Sequence, residues 1–196
     1  MTNSHNSLFT QHRATDQRTL IQYNEHLMNS HLVMTGYADA ARRLRNSYKA
    51  EPWDDVILLP FLFVWRQAIE LALKVNIRDL AEMRRQNGEV DPALQRSAVK
   101  RRLRFKVGHD LTALIEEQQS HISALGLEET PKPVLETLRL LAALDNGGTG
   151  FRYAGVLCAP SADINFETIA IALDNAFRLL EVVIDAATHG QGVDWS

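Results

Sequence analysis

Arg66, Glu70 and Lys74 stand four residues apart within an otherwise apolar stretch, VILLPFLFVWRQAIELALKVNIRDL, from Val56 to Leu80. Four-residue spacing stacks side chains along one helix face. Charges seldom enter a core unpaired, so this stripe either pairs internally or faces a site. Glu70 before Lys74 is the favourable order for an ion pair one turn apart. As a site, the stripe would offer a ligand two cations around a carboxylate. His109, in Gly108-His109-Asp110-Leu111, stands at a helix start and can act as acid or base near neutral pH. Its structural alternative is a hydrogen bond to Glu70. Arg152, in Phe151-Arg152-Tyr153, follows a glycine-rich turn, and loops are where binding residues often lie. Its planar fork suits phosphate or carboxylate, or an internal pair with Asp145 or Glu70.

Other chemistries find less support. Gly147-Gly148-Thr149-Gly150 follows a helical pattern, not a strand, and no Gly-Lys-Ser/Thr comes after it, so a nucleotide-triphosphate loop is rejected. The single cysteine, Cys158, has no neighbouring histidine or helix start to activate it and rules out an internal disulfide. The seven histidines show no metal-ligand spacing. Neither a metal nor a cofactor is expected.

The elements that must position these residues read as helices throughout. Asp16 to about Lys49 carries Leu20, Tyr23, Leu27, Leu32, Met34, Tyr37, Ala41, Leu44 and Tyr48 at helical spacing, enough for one or two helices. Pro60 belongs to the first turn of the next helix, which then starts near Ile57 to Leu59 and runs to about Arg85. A third helix opens at Asp110, with Leu111, Leu114, Ile115 and Ile122 inward, and stops at Gly126. A fourth opens at Pro131 and Pro133 and turns Val134, Leu135, Leu138, Leu141 and Leu144 to the core. Phe151 to Asp163 reads as extended or loop-like. Asp163 or Asn165 caps the last helix, Phe166 to about Thr188, which Gly190 follows. No alternating strand pattern occurs. The fold class is all-α, an up-and-down bundle of four to five helices.

Residues 1–16 form a polar, unpatterned tail, and residues 17–190 one helical domain. The tail has no apolar core segment of the kind a secretory leader carries, and the longest apolar run, Val56–Trp65, is too short for a membrane span. A cytoplasmic protein without membrane attachment is the expectation. The net charge of −3 conceals a division: Arg84–Lys106 carries eight Lys/Arg against two Asp/Glu, or +6, so the remainder holds −9. Lys100, Arg101, Arg102, Arg104 and Lys106 head the list of nucleic-acid contacts. With only Phe105 as an aromatic, this segment favours phosphate contact over base stacking. A solvated loop that balances an acidic body is the bland alternative. The broad apolar face of Phe166–Ile184 points to a homodimer.

Three stretches taken together, FVWRQAIELALKVNIRDL, GHDLTALIEE and DNGGTGFRYAG before a long amphipathic helix, resemble the HEPN superfamily over roughly residues 30–188. The resemblance implies a dimerising bundle with residues 86–107 as a basic insert. It also implies a role in RNA cleavage, RNA binding, toxin–antitoxin pairs or phage defence. RNase members carry Arg followed four to six residues later by His; here Arg152 has no histidine in that reach. Two functions follow. One is a non-catalytic or degenerate HEPN-like protein that binds RNA, a nucleotide or a partner protein, with Arg66, Lys74, Asp110 and Tyr153 as ligand contacts. The other is a metal-independent ribonuclease of altered site, in which Arg152 stabilises the phosphorane, His109 is the acid or base, and Glu70 orients it.

Overall fold

Prolines, glycines and capping residues cut the described chain, residues 30–152 and 165–189 of this computed structural model, into six α-helices. They are α1 (Ser30–Ser47), α2 (Asp55–Gln86), α3 (Arg96–Arg102), α4 (Leu111–Ala124), α5 (Lys132–Leu144) and α6 (Phe166–His189). Short 3₁₀ turns cover Pro52–Asp54, Pro92–Leu94 and Gly150–Arg152, and a π-helical turn, Leu103–Val107, continues α3. The fold is an all-α helical bundle, with no strand among the described residues. The polar N-terminal tail, Tyr153 and Cys158 lie outside the described residues.

Helix α2 is the axis, and α1, α4 and α6 pack around it while α5 rests on α6 and α4. Phe61, Trp65, Ile69, Leu73, Ile77 and Leu80 of α2 are all buried. They meet Met34, Ala38 and Ala41 from α1, Leu111 and Leu114 from α4, and Leu173, Phe177 and Leu180 from α6. Full burial of each such aliphatic or aromatic side chain stabilises by about 1.5–3 kcal/mol. An aromatic file strengthens the α2–α6 seam: the Phe61 ring lies 4.7 Å from Phe166 and the Trp65 ring 5.8 Å from Phe177. By length and composition alone α2 would reach across a bilayer, but half of its most apolar stretch is enclosed by the other helices.

Several sequence expectations need correction. Helix α2 begins at Asp55, so Pro60 lies inside it and not in its first turn. The missing N–H leaves the carbonyl of Val56 without its helical partner. Both residues are exposed, so water can reach that group. In α1 the inward positions are Met34, Ala38 and Ala41, whereas Leu32 and Tyr37 face outward. In α5, Leu144 is exposed while Leu138 and Leu141 are buried. Asn165 is the cap of α6: its Oδ1 accepts the N–H of Thr168 at 3.0 Å. The start of α4 matches its reading, for Asp110 accepts the N–H of Ala113 at 2.9 Å.

The basic segment is ordered secondary structure, not a solvated loop. Asp91 caps the Pro92 turn, and Leu94, Val99 and Leu103 are buried, pinning the turn and α3 to the bundle. The π turn closes with the N–H of Gly108 donating to the carbonyl of Leu103 at 3.0 Å. Gly108 stands there at φ +60°, where a residue without Cβ is favoured.

Candidate functional site

Three segments meet at Arg66: the middle of α2, the start of α4, and the turn that follows α5. Arg66 is completely buried, and each nitrogen of its guanidinium donates a hydrogen bond. Its Nε donates to the carbonyl of Asp145 at 2.9 Å, and its Nη1 to the Glu70 carboxylate at 2.5 Å. Its Nη2 donates to the carbonyls of His109 at 2.6 Å and Asn146 at 3.0 Å. A guanidinium serves this purpose because its donors radiate in one plane and reach several acceptors at once. With no exposed surface, Arg66 cannot meet a ligand, so its place among the expected ligand contacts is withdrawn. It is a clasp that joins three segments.

Glu70 is the counter-charge. It accepts from Arg66, from Lys74 Nζ at 2.6 Å, and shares Oε1 with His109 Nδ1 at 2.8 Å. Burial pushes its carboxyl upward, but the hydrogen bonds and charges of Lys74 and Arg66 outweigh burial and hold it below the usual glutamate range. An ionised carboxylate only accepts, so Nδ1 of His109 carries the hydrogen and donates it. The other ring nitrogen, Nε2, is left for another partner, and 66% of the His109 side chain is exposed. A carboxylate behind an accessible imidazole is an arrangement that can move a proton.

The turn after α5 is organised by its own side chains. Asp145, buried, accepts the N–H groups of Thr149 at 3.0 Å and Gly150 at 2.9 Å. Asn146 binds α4 from the side: Oδ1 accepts the N–H of Thr112 at 2.9 Å, and Nδ2 donates to Asp110 at 3.0 Å. Asp110 is thereby occupied as a cap and a tie. Gly148, at φ +76°, lies against the guanidinium so closely that a Cβ there would stand 2.9 Å from Cζ and Nη1 of Arg66. The structural roles of Asp145, Asn146 and Gly148 were not legible beforehand. The signal was Asp-Asn-Gly-Gly-Thr-Gly itself, which reads as a turn but does not say what the turn encloses.

Arg152 stands apart from this network. Its side chain is exposed, its guanidinium lies 5.5 Å from the Phe63 ring centroid, and among the described residues no carboxylate pairs with it. The expected internal pair with Asp145 or Glu70 is absent, because Asp145 faces its own turn and Glu70 is filled by Arg66, Lys74 and His109. Phe151 is the anchor of this turn and is buried.

Along the basic segment the cations divide into two sets. Arg84 pairs with Glu89, Arg85 and Arg96 with Glu82, and Arg102 with Glu117 at 2.5 Å. Arg102 also donates to the carbonyl of Ala93, so it is a strut of the segment. Lys100, Arg101, Arg104 and Lys106 are exposed, and none has a carboxylate partner among the described residues. Between them Phe105 is 74% exposed, with the Arg104 guanidinium 5.0 Å from its ring centroid. Among the described residues no group of three or more His, Cys, Asp or Glu could hold a metal ion.

No family model matches the chain, and neither a curated protein nor a solved structure matches it. The functional reading therefore rests on the residues.

Proposed function

We propose that this chain is a non-catalytic, HEPN-like, dimeric protein that binds single-stranded RNA in a bacterial stress or defence setting. The observation that carries the reading is the stretch of α3 and its π turn that exposes four cations, Lys100, Arg101, Arg104 and Lys106, without a carboxylate partner among the described residues, together with the exposed ring of Phe105. Exposed cations attract a phosphate backbone, and an exposed aromatic ring offers a platform for one base. The resemblance of the Arg66–Lys74, Gly108–Leu111 and Phe151–Tyr153 stretches to HEPN proteins supports the same class of ligand.

The test is fluorescence anisotropy with a short labelled single-stranded RNA, from low salt upward. Affinity is expected to fall steeply with salt, each phosphate contact adding about 0.7 to the logarithmic slope. The triple variant R101A/R104A/K106A should lower that slope by about 2. No binding at low salt would end the proposal.

A second reading is favoured by one observation: the exposed His109 ring, held by buried Glu70 with Nε2 open. A ribonuclease would use that nitrogen for proton transfer and Arg152 for phosphate charge. Cleavage of the same RNA that His109→Ala abolishes would establish this reading over the non-catalytic one. An RNA left intact would sink it.

A further inference from the structure

His109 is held at both its backbone and its ring, yet 66% of its side chain is open to solvent. Its carbonyl accepts from Arg66 Nη2 at 2.6 Å, and its Nδ1 donates to Glu70 Oε1 at 2.8 Å. Glu70 does not need this third partner for charge, because Arg66 and Lys74 already stand against its carboxylate. The bond therefore serves the imidazole: it keeps the hydrogen on Nδ1 and leaves Nε2 with a free lone pair. Lys74 Nζ donates to the same Oε1 at 2.6 Å, uses one of its three N–H groups there, and keeps 19% of its side chain exposed. A nucleophilic nitrogen, a buried carboxylate behind it and a partly exposed cation thus meet around one oxygen.

We propose that His109 Nε2 accepts a phosphoryl group from an acyl phosphate, and that Lys74 holds the phosphoryl oxygens during the transfer. The Nε2 lone pair attacks phosphorus. A P–N bond forms, the P–O bond to the acyl group breaks, and its electron pair leaves with the carboxylate. The hydrogen on Nδ1 stays in its bond to Glu70, so the positive charge that the ring acquires faces a buried anion. The tautomer selects the donor class. Nε2 carries no hydrogen and cannot protonate a leaving group, and an acyl phosphate releases a carboxylate that needs no proton at neutral pH. Lys74 favours attack at phosphorus over the neighbouring carbonyl carbon, because a cation offsets the charge of the phosphoryl oxygens. RNA binding plays no part in this chemistry; it falls to the exposed cations of α3 and its π turn. Ribonuclease chemistry, by contrast, would use the same nitrogen.

Incubation of the full chain with acetyl phosphate tests the proposal, read by intact mass, tandem mass spectrometry and phosphorus NMR. One phosphoryl group should appear, on His109 and at Nε2. It should form about tenfold or more faster than on N-acetylhistidine, the advantage expected of one charge-assisted hydrogen bond. His109→Gln should take up none; the side chain it replaces is exposed, so the variant should keep the wild-type thermal melt. Lys74→Gln leaves Arg66 to balance Glu70 and should react about tenfold more slowly. A phosphoryl group at Nδ1, equal labelling of other histidines, an acetyl group in place of the phosphoryl group, or a rate no higher than that of N-acetylhistidine overturns the proposal. A wild-type rate in Lys74→Gln overturns the part given to Lys74. RNA cleavage that His109→Gln abolishes, with no phosphoryl transfer, would assign the nitrogen to proton transfer instead. Loss of RNA binding leaves the phosphoryl readout unchanged, so the two failures are told apart.

Discussion

At the scale of single residues, Glu70 is where burial and charge oppose each other most directly. Only 3% of its side chain is exposed, yet it neutralises Arg66 and holds Lys74 and His109. Removing one partner of a buried ion pair leaves the other uncompensated, at a cost of about 3–5 kcal/mol. Glu70→Ala should therefore lose about 3 kcal/mol or more at neutral pH in urea unfolding. The pH dependence has a definite sign. The folded carboxyl lies below its ordinary value of 4.5, so the folded state binds the proton less well than the unfolded state. Its stabilisation is fully present above that value and is lost as pH falls through the folded pKa. The stability difference between wild type and Glu70→Gln should shrink between about pH 5 and pH 3. A difference that stays constant over that interval would refute this account. The pairing of Arg66, Glu70 and Lys74 was legible in their spacing, because helix geometry alone brings them together. The use of Arg66 on three backbone carbonyls was not.

Among elements, the turn after α5 shows how a short loop becomes part of a core. Asp145 folds the turn back on itself, Asn146 ties it to α4, and Gly148 makes room for the guanidinium. Gly148→Ala would add a Cβ at 2.9 Å from Arg66 in a left-handed backbone conformation. The expected loss is about 2 kcal/mol or more, read as a fall in Tm of about 2–4 °C per kcal/mol for a chain of this size. A wild-type melting temperature would show that the arginine yields at no cost. Gly147, with nothing near its Cβ position, is the natural control. The sequence marked a turn here, but not which of its glycines meets a side chain from another helix. The basic segment carries the converse lesson. Its charge left a solvated loop open as the bland alternative, while Leu94, Val99 and Leu103 were the sparse apolar anchors of an ordered helix.

For the whole molecule, the decisive property is how surface is divided between core and partner. The apolar face of α6 that suggested a dimer is used within the chain, for Phe166, Ala170, Leu173, Phe177 and Leu180 are all buried. Among the exposed apolar residues, Leu140 and Leu144 on α5 and Ile171 and Val182 on α6 lie on two helices that pack together. If a homodimer forms, this is the face it would use. Light scattering should then give twice the chain mass at micromolar concentration, and Leu140→Glu with Ile171→Glu should return it to the monomer. A monomeric wild type would refute the dimer. Charge is divided too, with the excess of cations gathered on α3 and its π turn, as the +6 of Arg84–Lys106 foretold.

The sequence alone determined the helical class, most helix boundaries, the cap of α4 and the segregation of charge. All of these are local: they depend on periodicity and capping within one or two turns. Tertiary structure decided which charged residues are enclosed and which are free. Arg66 reaches acceptors 43 and 80 residues away, at His109 and Asn146, and no periodicity encodes such a meeting. It likewise separated Arg102, bound to Glu117, from Lys100, Arg101, Arg104 and Lys106, which composition had made equivalent. A cation's availability depends on the carboxylates that folding brings beside it, and those lie on other helices.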